Sequence, residues 1–129
     1  MYDNLVNRLT FNKDNHIPAI IQDHESKRVL TLCYMTKEAL EKTLQEGYVY
    51  VFRRSLNKLM KKGESSGHVQ QVQTVALDCD GKSLCINIKQ HVAGCHKGYF
   101  SCYFEEFNSS KDDFEIKEKI VFDPDSVYK

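Results

Sequence analysis

Between Leu77 and Phe104 the chain concentrates the residues best able to do chemistry: Asp78-Cys79-Asp80-Gly81, then Cys95-His96, then Ser101-Cys102. If Leu77 to Asp80 ends a β-strand, side-chain alternation places Asp78 and Asp80 on one face and Cys79 on the other. Carboxylates suit a hard cation such as Mg²⁺ and a thiolate suits Zn²⁺, so two metal chemistries could stand back to back on one tripeptide. Cys79 lies sixteen residues before Cys95, and six residues separate Cys95 from Cys102. Neither interval is the CxxC knuckle of a structural zinc site, and three thiolates would leave a tetrahedral Zn²⁺ one open position for water. His96 adjoins a proposed ligand and reads equally as a proton carrier near neutral pH or as a surface histidine.

A second cluster precedes this one. Arg53 to Lys62 carries five basic residues and no acid, and runs into Gly63-Glu64-Ser65-Ser66-Gly67-His68. A run of cations is most often a solvated face. Two glycines and two hydroxyls directly after it supply backbone N–H groups and side-chain donors suited to a phosphate.

The chain of 129 residues fits one domain with a modest core, and its 18 basic and 18 acidic residues balance to a formal charge of zero. No global field argues for nucleic acid or an anionic membrane. Apolar runs are far shorter than the roughly 20 residues of a membrane span, and the N-terminus lacks a signal pattern, so the expected compartment is the cytoplasm. Five cysteines are an odd number, which argues for thiols or metal ligands over a disulfide framework. Cys33 and Cys85, inside strand-like apolar stretches, read as small buried hydrophobes.

The elements that must position these clusters are mostly strands. Ile17 to Gln22 and Arg28 to Tyr34 read as a hairpin around a turn at Asp23 to Lys27. Thr36 to Glu46 reads as the main helix, with Thr36 as N-cap, Gly47 as its left-handed end, and Met35 and Leu40 as a hydrophobic staple. Tyr48 to Phe52 is expected to be a strand, and Val69 to Leu77 an alternating strand. Gly81-Lys82 should turn the chain into a strand with Leu84, Ile86 and Ile88 on one face and Cys85, Asn87 and Lys89 on the other. Tyr99 to Phe107 should form a strand with Phe100, Cys102 and Phe104 on one face. Residues 1–15 carry no clear pattern. The tail from Glu105 to Lys129, with eight acids against four lysines, reads as a solvated end able to supply one more strand or an amphipathic helix.

Several of these segments together resemble phosphoribosyl-AMP cyclohydrolase, an enzyme family of histidine biosynthesis. They are Pro18-Ala19-Ile20-Ile21-Gln22-Asp23, Tyr34-Met35 before Glu38-Ala39-Leu40, Lys62-Gly63-Glu64-Ser65-Ser66-Gly67, Leu77-Asp78-Cys79-Asp80-Gly81 and Cys95-His96-x-Gly98-x-x-Ser101-Cys102. The resemblance covers roughly residues 16 to 105, leaving 106–129 as an acidic C-terminal extension of a single domain. It implies an α+β, mostly β fold with one main helix, assembled as an intertwined homodimer. It further implies that Cys95 and Cys102 bind Zn²⁺ together with Cys79 of the other subunit, that Asp78 and Asp80 bind Mg²⁺, and that His96 is catalytic. Arg54, Ser55, Lys62, Gly63, Glu64, Ser65, Ser66 and Gly67 would hold a small-molecule nucleotide. The implied reaction is hydrolytic opening of the purine ring between N1 and C6 of phosphoribosyl-AMP, with zinc lowering the pKa of water to near 7.

The sequence also departs from the family pattern. Lys82 stands where a third aspartate is usual, Leu56 where an arginine is usual, Met60 for a tryptophan and Lys97 for a threonine. These departures keep two other readings open: a related zinc hydrolase acting on another purine-like nucleotide, and a non-catalytic zinc-stabilised dimer that binds a nucleotide.

Overall fold

The computed structural model describes residues 2–127. Its first regular elements are a short helix α1 (Asp3–Val6) and strand β1 (Ile17–Asp23), which turns back into antiparallel β2 (Val29–Met35). Asp23 holds the turn, its Oδ2 accepting from Ser26 N at 2.9 Å and Ser26 Oγ at 2.6 Å. Ile17, Ala19 and Ile21 face the interior opposite Met35, Cys33 and Thr31. A bulge between Ile21 and Gln22 gives β2 an extra residue there, and Leu30 is buried while Leu32 and Tyr34, in the same alternation, face outward.

Helix α2 (Lys37–Glu46) begins where expected, with Thr36 Oγ1 accepting from Ala39 N at 3.1 Å. Gly47 ends it at φ 79°, a conformation that costs glycine little. Ala39, Leu40 and Thr43 are its buried face. Thr43 couples the helix to the next strand: its hydroxyl donates to Ala39 O at 2.7 Å and accepts from Tyr50 N at 2.9 Å. That strand, β3 (Tyr50–Arg53), is shorter than the expected Tyr48 to Phe52, because Tyr48 makes an isolated bridge to Gln71 instead. The basic run is not irregular either. A 3₁₀ turn (Arg54–Leu56) leads into β4 (Lys58–Lys61), which pairs antiparallel with β3.

Strands β5 (Gln70–Leu77) and β6 (Leu84–Gln90) complete a four-stranded sheet in the order β2-β1-β6-β5, with β1 and β6 parallel. Leu84, Ile86 and Ile88 are buried as their alternation requires, and α2 packs with them around a core that includes Ile17, Ile21, Leu40 and Val49. Fully burying each such side chain contributes about 1.5–3 kcal/mol. The alternation expected across β5 is broken by a shift between Val72 and Thr74, so Gln70, Val72, Val75 and Leu77 turn inward on both sides of the bulge.

One expected strand is absent. Residues 99–104 form bends, and the regular structure starts only at β7 (Glu105–Asn108), which pairs with β8 (Asp113–Ile116). The alternation of Phe100, Cys102 and Phe104 was a misleading sign, since the backbone here closes on itself and on β2. Stacking of the Tyr99 and Phe104 rings, with centroids 3.8 Å apart, further stabilises this irregular path. The tail supplies β8 and a one-turn α3 (Pro124–Val127), while Ile120 to Phe122 remains a loop. The architecture is α+β and mostly β, and among the described residues no helix is long and apolar enough to cross a membrane.

Because Thr43 joins helix to strand through one hydroxyl, Thr43→Val is expected to destabilise the protein by about 1–3 kcal/mol despite its similar shape, since Tyr50 N–H loses its acceptor. The midpoint of urea unfolding measures this; an unchanged midpoint would show that the helix docks by apolar packing alone.

Candidate functional site

The cavity that matters is a groove of about 1400 Å³ running along β2, closed on one side by β3 and β4 and on another by the 91–102 segment. Its wall includes Lys62, Gly63, Glu64, Ser65 and Ser66 from the loop after β4, with His96 and Cys102 facing them. The loop after the basic run and the His96–Cys102 part of the other cluster, some thirty residues apart in sequence, therefore meet in one place. The loop takes the backbone its glycines promised, Gly63 at φ 81° and Gly67 at φ 80°, and closes through Gly67 N to Gly63 O at 2.8 Å.

The thiol pair is delivered by hydrogen bonds rather than by a strand ladder. Cys102 N donates to Leu30 O at 2.7 Å, Ser101 Oγ donates to Val29 O at 2.7 Å, and Gly94 N donates to Phe100 O at 2.9 Å. Cys95 is buried and receives Lys97 N–H at its Sγ at 3.4 Å, while half-buried Cys102 points its Sγ toward Gly94 O at 3.8 Å. Burial pushes the Cys102 thiol up; the Thr31 side chain and Lys62 ammonium act against this, and neighbouring Cys95 adds to it. Two thiols at close quarters, Cys95 opposing the ionisation of Cys102, are a donor set that a soft-tolerant dication relieves, so this pair fits Zn²⁺. Val92, at φ 72°, sits in the left-handed region just ahead of them. For a β-branched residue this costs about 1–2 kcal/mol, and the strain lies in the segment that aims Cys95.

Cys79, Asp78 and Asp80 are elsewhere. The strand stops at Leu77, and Asp78 to Gly81 form a turn, with Gly81 N donating to Asp78 O at 3.1 Å. The expected back-to-back arrangement is therefore replaced by a turn that Asp78 itself holds. Its Oδ2 accepts from Ser83 Oγ at 2.7 Å and its Oδ1 from Lys82 N at 2.8 Å and Asp80 N at 3.2 Å. These bonds, that from Ser83 foremost, hold its carboxyl below the usual range. With Asp78 committed, Asp80 is the one carboxylate of the pair left for a cation, so the turn does not fit a Mg²⁺ held by this chain alone. Cys79 is exposed on the same turn, and among the described residues no three His, Cys, Asp or Glu side chains converge in a metal-binding group.

Ser55 and Gly67 do not line the groove, and the side chain of Arg54 lies outside the described residues. Cys33, expected as a buried hydrophobe, packs partly buried against the core and also lines the groove, where burial raises its thiol to about 11 against the opposing charge of Lys62. Cys85 is half-buried, its Sγ 3.7 Å from Gln22 Oε1. His16 and His68 line the groove too, and neither carried a motif that would single it out. The tail is not simply solvated. Val121 N donates to Gly98 O at 2.7 Å, Phe122 sets its ring edge to face with His68 at 4.6 Å, and Pro124 and Asp125 form part of the wall.

The two loop glycines make a matched pair for mutation. A Cβ on Gly67 meets nothing within 4 Å, so Gly67→Ala bears the left-handed penalty alone, about 1–2 kcal/mol. A Cβ on Gly63 would overlap His68 O, so Gly63→Ala must also displace the His68 backbone. Urea unfolding should show the larger loss for Gly63→Ala; equal losses would mean that the loop is free to move away from His68.

The comparison with known proteins agrees with the geometry. The family model for phosphoribosyl-AMP cyclohydrolase matches residues 31–104. The phosphoribosyl-AMP cyclohydrolase of Desulforapulum autotrophicum is 47% identical over 94% of this chain and 98% of its own. That of Chloroherpeton thalassium is 40% identical over 96% of this chain and 89% of its own. A histidine biosynthesis bifunctional protein, HisIE of Thermoanaerobacter pseudethanolicus, is 40% identical over 98% of this chain and 57% of its own length. This chain belongs to the phosphoribosyl-AMP cyclohydrolase family and is an enzyme.

Proposed function

We propose that this enzyme hydrolyses phosphoribosyl-AMP in histidine biosynthesis, opening the six-membered purine ring between N1 and C6. The observation that carries this reading is the meeting of Cys102, with buried Cys95 beside it, His96 and the Lys62–Ser66 loop around one groove. Family membership supports the same substrate.

In this reading Cys95 and Cys102 of one protomer hold Zn²⁺ with Cys79 of a second copy. The exposed position of Cys79 and the outward-facing Ile20, Leu32 and Tyr34 on the sheet support an assembly of two chains. When bound, zinc acts as a Lewis acid and makes a nucleophile of water near neutral pH. The chain's own groups do the rest. Lys62 and the Gly63–Gly67 loop, with the Ser65 and Ser66 hydroxyls, bind a substrate phosphate and fix the purine over the thiols. His96, exposed at the groove, accepts the proton of the water that attacks C6 and returns a proton to N1 as the N1–C6 bond breaks. The Asp78–Gly81 turn of one chain alone does not fit Mg²⁺, and the reading needs no step from that ion.

Ring opening followed by absorbance tests the reading. Turnover of phosphoribosyl-AMP should fall by about 10³-fold on chelation or in Cys102→Ser, equivalent to roughly 4 kcal/mol of barrier. Zinc content should fall with it while the fold persists. Full turnover with chelator present, or in a zinc-free Cys102→Ser variant, would remove zinc from the mechanism; no turnover by zinc-loaded wild type would remove the substrate.

A further inference from the structure

His16 is a buried histidine to which the mechanism above gives no role. It is 5% exposed, and both ring nitrogens, Nδ1 and Nε2, are buried with no hydrogen-bond partner. A neutral imidazole carries one donor and one acceptor, and buried polar atoms of this kind are nearly always paired. The ring is held in place on one side by Phe52, with centroids 5.8 Å apart at a tilt of 37°. Its backbone is fixed as well, His16 N donating to Asn12 Oδ1 at 3.0 Å and His16 O accepting from Asn12 N at 2.8 Å. The residue is therefore a firmly placed imidazole whose hydrogen-bonding capacity is unused, and it lines the same groove as Lys62, His96 and Cys102.

Its place along the groove is informative. Cys102 bonds to Leu30 O, so the thiols stand at the Leu30–Thr31 end of β2. His16 precedes Ile17, which pairs with Met35 at the other end of the strand. Met35 lies four residues after Thr31, about 13 Å at the rise of an extended strand. With the reacting ring at the thiols, a purine alone does not span that distance, whereas a ribosyl phosphate attached to it does.

We propose that His16 is a substrate-recognition residue, its imidazole hydrogen-bonding an oxygen of the ribosyl phosphate that extends along the groove away from the thiols. This rests on the substrate reading given above, and it adds a binding group outside the Lys62–Gly67 loop. His16 fixes the length and the polar end of the ligand and takes no part in bond breaking.

The test separates recognition from packing. His16→Phe keeps a ring against Phe52 and removes both unpaired nitrogens, so it should fold with an unchanged or higher melting temperature; His16→Asn is the second variant, retaining one donor and one acceptor. For His16→Phe the KM for phosphoribosyl-AMP should rise about tenfold, the worth of one hydrogen bond, with kcat within about threefold of wild type; His16→Asn should recover part of the loss. In wild-type protein the His16 ring nitrogens, followed by NMR, should shift on titration with ribose 5-phosphate. An unchanged KM in folded His16→Phe, or ring nitrogens that do not respond to ribose 5-phosphate, would overturn the proposal and leave His16 as a packing residue. If wild type does not turn over phosphoribosyl-AMP at all, the substrate reading fails, and the ribose 5-phosphate titration still decides whether His16 binds the sugar phosphate.

Discussion

The structure depends on how an irregular segment is held against a regular sheet. Residues 91–104 carry both converging thiols and His96, yet they have no ladder to satisfy their backbone, so each polar group needs another partner. Leu30 O and Val29 O, on β2, receive Cys102 N–H and the Ser101 hydroxyl. The Gln90 side-chain amide reaches Ala93 O at 3.1 Å and His68 O at 3.2 Å, and its Oε1 accepts from buried Gln70 at 2.7 Å. One glutamine thus ties the thiol segment to the end of the Gly63–Gly67 loop, and relative placement of the two halves of the candidate site follows from it. Loss of these bonds would leave buried backbone groups unpaired, which is why the segment has a definite shape without being a strand.

The tail completes this clamp from outside. Arg28 donates through Nε to Glu118 Oε1 at 2.8 Å and through its guanidinium to Tyr103 O at 2.8 Å, bringing the chain after β8 back over the segment. Gly98 then accepts Val121 N–H, and a Cβ at Gly98 would come within 2.7 Å of Phe122 O. The close approach explains a glycine here in terms of the tail as well as the tight turn. Acidic composition alone suggested a solvated end; Glu118 on Arg28, Val121 N–H on Gly98 O and the Phe122 ring on His68 hold it against the rest of the chain.

Much of the framework was legible because local rules and burial agree. Thr36 and Gly47 bound the helix where capping chemistry places them, and Leu84, Ile86 and Ile88 face the core as period-2 alternation requires. The failures have a common cause in long-range bonds. The Phe100-Cys102-Phe104 alternation looked like a strand, but β2 carbonyls and ring stacking claim those residues first. Asp78-Cys79-Asp80 looked like a strand end, but Asp78 finds three donors within its own turn. β4 was hidden beneath a basic run because charge obscured its pairing with β3. Of the site, the resemblance identified the loop and the thiols; His16, His68 and the tail residues could be found only from the folded chain, since their proximity to the groove is set by partners far away in sequence.

The proposed site is finished by a second copy: Cys95 and Cys102 converge in one chain, while Cys79 stands exposed on a turn that does not join them. Mixing two inactive variants, Cys79→Ser and Cys95→Ser, under conditions that allow subunit exchange tests it most directly. A shared site predicts that a mixed dimer carries one intact set of three thiols, so zinc binding and turnover of phosphoribosyl-AMP should return to a sizeable fraction of the wild-type level. Two variants that exchange subunits yet remain inactive together would show that each chain must supply all of its own ligands, and would contradict the account.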